Sequence, residues 1–74
     1  MGTKQTIAAN LQRLRLTKNL GSQEVVAKAL NLGTSAYRDR EQARVSIALE
    51  DVIIWAPFFG LSPDNFAVEL LKES

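Results

Sequence analysis

The chain predicts an all-α fold of five short helices in one domain, and three observations carry that prediction. Apolar residues recur at helical spacing, first as Ile7, Leu11 and Leu14. Helix-stopping and helix-starting residues punctuate the chain at short intervals: Asn19, Ser22, Asn31, Pro57, Gly60 and Ser62-Pro63-Asp64. No segment alternates apolar and polar residues as a half-buried strand does.

The first helix is expected from about Thr6 to Lys18, with residues 1–5 as a flexible N-terminal arm. Thr3 or Thr6 can cap its start, and Asn19 can take the left-handed conformation that ends it. Leu20 then tucks back as an apolar anchor, and Gly21 loosens the turn. Ser22 caps a second helix, Gln23 to Leu30, with Glu24 favourably placed against the helix dipole. Val26, Ala27 and Leu30 make its buried face, and small Ala27 lets another helix cross closely. Asn31-Leu32-Gly33 is a tight turn, with Leu32 pointing inward.

A third helix follows from Thr34 to Gln42. Its inner face should carry Ala36 or Tyr37, with Arg40 or Glu41 a turn later. That face is poorly apolar, so its neighbours must hold the helix. Ala43 to Ser46 is a loop, and a fourth helix begins at Ser46 or just beyond, with Leu49, Val52, Ile53 and Ala56 inward. Pro57 lacks an N–H and biases Ala56 away from helical geometry, so the helix should kink or end there. Phe58 and Phe59 fall in a short turn that Gly60 closes. Ser62-Pro63-Asp64 starts the last helix, which runs to about Lys72 with Phe66, Leu70 and Leu71 inward.

Composition narrows the function. The 74 residues include no cysteine and no histidine. That removes disulfides, thiolate metal sites, and the commonest general base and metal ligand. There is no Gly-rich phosphate loop and no paired-carboxylate spacing, so the chain reads as a non-enzyme without metal or cofactor. No apolar run reaches membrane-span length and no export signal opens the chain, which favours a cytoplasmic protein with no membrane partner. Gly2 with Thr6 matches a short myristoylation pattern. Net charge is only +1, but eight of the nine basic residues precede Val45, while the segment after it is mainly acidic. One part of the molecule is therefore suited to phosphate and the other to protein or solvent.

Residues 22–42, SQEVVAKALNLGTSAYRDREQ, have the plan of a helix-turn-helix, whose second helix is shaped for a DNA major groove. With the elements placed, the chain resembles the lambda-repressor-like (Xre-type) helix-turn-helix family over about Ile7 to Leu71. The resemblance is strongest in QEVVAKALNLGTS, Gln23 to Ser35. Leu14-Arg15 is similar to the family's Leu-Arg in helix one, and Glu41 falls where the family ends its recognition helix with an acid. Gly60-Leu61 and Asp64-Asn65-Phe66 also fall at the family's spacing. Asn31 replaces the family's turn glycine, and Gly21 is an extra residue before Gln23.

The resemblance implies a compact five-helix lambda-repressor-like DNA-binding domain. It implies base-facing roles for Thr34, Ser35, Arg38, Asp39 and Gln42, with Arg38 pairing bidentately with guanine. Gln23 and Arg44 would contact phosphate, and Arg15 with Glu41 would form a structural ion pair. Each position also has a plainer reading. Gln23 is a polar residue beside a cap, Arg38 a solvated arginine, Asp39 a local partner for a neighbouring arginine, and Thr34 and Ser35 are helix caps. The chain departs from the family at Tyr37, where the family has Val or Ile, and at Arg40, where it has an apolar residue. Arg40 must snorkel out, find an acid or rotate its helix.

Ile54, Trp55 and Phe58 exceed what one helix and a turn can bury, and mark a homodimer surface together with the last helix. The expected function is a sequence-specific regulator of double-stranded DNA, a repressor of phage, prophage or antitoxin type, acting as a homodimer with no small-molecule ligand. The alternative is the same scaffold used as a protein–protein interaction module.

Overall fold

A computed structural model describes residues 3–73 and contains five helices. They are α1 (Thr3–Thr17), α2 (Gln23–Ala29), α3 (Thr34–Glu41), α4 (Leu49–Trp55) and α5 (Pro63–Leu71), and the described residues include no strand. The helix α1 starts earlier than the capping residues suggest. Thr3, Lys4 and Gln5 are helical and not part of a flexible arm. Met1 and Gly2, and with them the myristoylation pattern, lie outside the described residues. No helix among the described residues is long and apolar enough to cross a membrane.

One core collects a stripe from every helix. Leu11 and Leu14 of α1, Val26 and Ala27 of α2, Tyr37 of α3, Trp55 of α4, Ala56 and Phe59 just beyond it, and Phe66 and Leu70 of α5 pack into a single cluster. Phe59 stacks on Phe66 with ring centroids 4.8 Å apart, and Tyr37 meets Trp55 at 6.2 Å. Such aromatic pairs add about 0.5–1.5 kcal/mol beyond the burial of their area. The two ends of the chain are tied through Asn10. Its buried amide donates to the carbonyls of Leu70 and Lys72, each at 2.7 Å, and so caps the C-terminus of α5 from the middle of α1.

Four chain reversals share one device. At Asn19, Asn31, Ala43 and Gly60 the backbone turns left-handed, with φ of 56°, 61°, 63° and 73°. In each case the next residue's N–H reaches back to a carbonyl five residues earlier: Leu20 to Arg15, Leu32 to Ala27, Arg44 to Asp39 and Leu61 to Ala56, all at 2.8–3.0 Å. These are Schellman-type ends, which satisfy carbonyls the helix leaves free. Leu20, Leu32 and Leu61 also drop against the core. Asparagine and glycine accept this conformation readily, whereas alanine at position 43 does not.

The phase of α4 differs from the expected one. Leu49 and Ile53 are exposed, at 77% and 53%, while Trp55 is only 2% exposed. The inward set is Val52, Trp55, Ala56 and Phe59. Both sets obey the same helical spacing, and an almost wholly apolar segment does not say which one turns inward. Trp55 is therefore core and not dimer surface, whereas Ile54 is exposed and Phe58 half-buried. Ala56 keeps right-handed helical angles despite the following proline, at φ −52° and ψ −46°. The bonds from the N–H groups of Phe58 and Phe59 to the Trp55 carbonyl continue the winding and bring Phe59 to the core side. The helix itself starts at Leu49 with Ala48 as cap, later than Ser46 suggests. In α5, Leu71 is 53% exposed rather than inward.

Two stability outcomes are expected. Replacing Ala43 with glycine relieves the left-handed strain and should stabilise the fold by about 1 kcal/mol, raising the thermal midpoint by about 4–8 °C. Asn10→Ala leaves two carbonyls without their donor and should lower stability by about 1–3 kcal/mol in a denaturant titration.

Candidate functional site

At about 100° per residue, an eight-residue helix has a definite inside and outside. Thr34, Ser35, Arg38, Asp39 and Gln42 fall within one arc of about 140° on that count. Tyr37 and Glu41 fall outside that arc, and both are buried, at 0% and 7% exposure. On the outer arc Ser35, Arg38 and Gln42 are exposed, and Thr34 and Asp39 are half-buried. Gly33, not Thr34 or Ser35, is the helix cap, so the side chains of Thr34 and Ser35 are not used as caps.

The inner side of α3 is held by charge. The Arg15 Nε donates to Glu41 at 2.8 Å and its Nη2 donates to the other carboxylate oxygen at 3.2 Å. Arg15 Nη1 donates to the Gly21 carbonyl at 2.9 Å, so the extra residue before α2 supplies an acceptor to the pair. The two side chains are 9% and 1% exposed. The hydrogen bonds that Arg15 donates to Glu41, and the charge of that carboxylate, hold the Arg15 guanidinium protonated against the effect of burial. Burial pushes the Glu41 carboxyl up, but hydrogen bonds from Arg15 and Gln23 outweigh it and leave its pKa below the ordinary value of 4.5. Tyr37 completes this buried group. Burial first, and the nearby Glu41 carboxylate second, push its pKa up, and its hydroxyl has no hydrogen-bond partner of good geometry.

From this buried pair a chain of contacts leads to the surface. Gln23, the first residue of α2, donates its Nε2 to Glu41 Oε1 at 2.9 Å. Its Oε1 accepts from Arg38 Nε at 3.2 Å. Arg38 thus lies against the start of α2, and its two Nη groups make no hydrogen bond among the described residues. The sequence suggested these residues one by one. Their connection is not legible there, because Gln23 and Arg38 are 15 residues apart and only the packing of α2 on α3 makes them neighbours.

The other expected residues have local partners. Asp39 pairs with Arg44 at 3.6 Å, and the Arg44 side chain remains 69% exposed. Arg40 solves its burial by finding an acid. Its Nε lies 3.7 Å from Asp51 of α4, and its Nη1 donates to the Ala36 carbonyl. Asp51 also accepts from the Ala48 N–H at 3.3 Å, so one carboxylate caps α4 and ties it to α3. No group of acidic side chains among the described residues is arranged to hold a metal ion. Comparison with family models, curated proteins and solved structures finds no match to this chain.

The depressed carboxyl of Glu41 fixes the sign of an acid response. Its contribution to stability is fully present above about pH 4.5 and is lost as pH falls through the lower folded value. Glu41→Gln leaves Arg15 buried without its counter-charge, which should cost about 3–5 kcal/mol near neutrality. Thermal melts from pH 7 to pH 3 should show the gap between wild type and this variant narrowing below about pH 4.5.

Proposed function

We propose that this chain is a sequence-specific double-stranded DNA-binding transcriptional regulator of repressor type, and that it acts as a homodimer. In this reading α2, its turn and α3 form a lambda-repressor-like helix-turn-helix, and α3 enters the major groove. The observation that carries the reading is the division of α3. Its inner side is anchored by Tyr37 and the Arg15–Glu41 pair, while Ser35, Arg38 and Gln42 are exposed on one outer arc. A helix with so little apolar surface owes its place to the anchor, and its exposed polar arc suits base edges and phosphates.

Arg38 is the leading base reader, because its Nη groups can meet a guanine edge. Ser35 and Gln42 are adaptable partners beside it. Arg44 follows α3 and is the phosphate contact, exchanging Asp39 for DNA. That exchange leaves Asp39 free to accept from a cytosine amino group or to repel a wrong base. Several other arginines are committed within the fold, Arg13 to Glu69, Arg15 to Glu41 and Arg40 to Asp51. The electrostatic part of binding is therefore modest, and two half-sites are needed for useful affinity. Exposed Leu49, Ile53, Ile54, Val68 and Leu71 supply apolar surface for the second copy. The protein reads as a non-enzyme, and bound DNA would be closed to polymerase.

Fluorescence anisotropy of a labelled duplex against the protein tests this reading, with sedimentation on the same samples. Binding at low salt should weaken as salt rises, with a log–log slope of about −0.9 for each phosphate that a cation such as Arg44 neutralises. Arg38→Ala should cost about 5- to 100-fold on a selected site and much less on random duplex. A folded dimer that binds no duplex at low salt would sink the regulator and favour a protein-interaction module built on the same scaffold.

A further inference from the structure

We infer that Gln23 is a positioning residue for base recognition and not a phosphate anchor, and that it aims Arg38 at guanine on behalf of the buried Arg15–Glu41 pair. The inference rests on the DNA-binding reading and specifies how that site discriminates. A glutamine amide has one donating and one accepting end. Here Glu41 is an acceptor only and Arg38 is a donor only. The Gln23 Nε2 must therefore face Glu41, at 2.9 Å, and its Oε1 must face Arg38, at 3.2 Å. The reverse orientation would oppose two acceptors on one side and two donors on the other. The amide is fixed from inside the protein, because Glu41 is itself held by two hydrogen bonds from Arg15.

Each link has a consequence for the exposed arginine. An arginine on a free helix surface samples many rotamers and gives up side-chain entropy when it docks. Holding its Nε against Gln23 removes part of that loss before DNA arrives. It also selects which edge of the guanidinium is presented. With Nε occupied, the fork left for a base is the terminal Nη1–Nη2 edge, which matches the O6 and N7 acceptors of guanine. The order Arg15, Glu41, Gln23, Arg38 thus runs from the core to the groove-facing arc and touches α1, α2 and α3 in turn. A residue acting this way affects discrimination between bases. A phosphate anchor affects all sequences alike.

The test uses the whole chain and a site selected from random duplexes by the wild type. Gln23→Met keeps length and removes both polar ends. Binding is measured to the selected duplex, to the same duplex with the guanine position changed, and to random duplex, each over a range of salt. The expected result is a loss of about tenfold confined to the selected duplex, with the salt slope unchanged. In an Arg38→Ala background the same change should add almost nothing, because both act through one contact. Arg38 is exposed, so that background keeps the fold, and a thermal melt checks each variant. A uniform loss on all duplexes, random duplex included, would make Gln23 a phosphate anchor and overturn the inference. Full additivity with Arg38→Ala would overturn it too. Absence of any duplex binding by the wild type would instead remove the DNA-binding reading, and the inference with it.

Discussion

The buried pair between Arg15 and Glu41 is the constraint on which the rest of this molecule depends. The helix α3 offers the core one aromatic ring and little else. Its remaining inward group is a carboxylate, and burying a carboxylate is unfavourable unless it is fully partnered. Arg15 supplies two hydrogen bonds and Gln23 a third, and Arg15 is in turn completed by the Gly21 carbonyl. Apolar residues of the same size could bind these helices as firmly. What the ion pair adds is direction. A guanidinium fork meets a carboxylate in few orientations, so α3 is fixed in rotation as well as in contact. Rotation decides which side chains of α3 look outward.

The turns complete that placement. Asn19-Leu20, Asn31-Leu32 and Gly60-Leu61 repeat one solution, in which a tolerant residue turns left-handed and a leucine returns to the core. Ala43-Arg44 breaks it twice. Alanine is strained at 63°, and the residue after it extends into solvent instead of anchoring. Strain of this sort persists where the surroundings impose it and gathers at functional sites. Its place here, directly after α3, puts an exposed cation at the edge of the candidate site.

The far side of the molecule follows other rules. Asp51 joins α4 to α3 through Arg40 while capping its own helix, so the polar links on both sides of α3 are carried by single carboxylates with two tasks each. Below them the aromatic stack of Phe59 and Phe66 fills the space between α4 and α5. The same two helices leave five aliphatic side chains at the surface, Leu49, Ile53, Ile54, Val68 and Leu71. These side chains lie on α4 and α5 and the polar arc on α3, in keeping with the division of charge along the chain.

Much of this was legible in the sequence because it is local. Caps, left-handed asparagines and helical spacing act over a few residues, and they gave five helices and the turn at Asn31, but left the inner face of α3 open between Ala36 or Tyr37 and Arg40 or Glu41, a choice the packing makes in favour of Tyr37 and Glu41. The ion pair of Arg15 with Glu41 was legible only through resemblance, since nothing local joins residues 26 apart. Three further features needed the tertiary structure. The phase of α4 was degenerate, because two apolar sets share one period and only packing into the common core, where Trp55 meets Tyr37, chooses Trp55 over Ile53. Arg40 met Asp51 through a contact between helices that no spacing encodes. The link from Glu41 through Gln23 to Arg38 exists because α2 crosses α3 closely enough for one amide to bridge them. By itself, then, the sequence determined the five helices and most of their ends through short-range sterics and hydrogen bonding, while the starts of α1 and α4 and the facing of α3 were not fixed by such local signals. The tertiary structure decided which charges meet, because those partners are brought together only when the core closes.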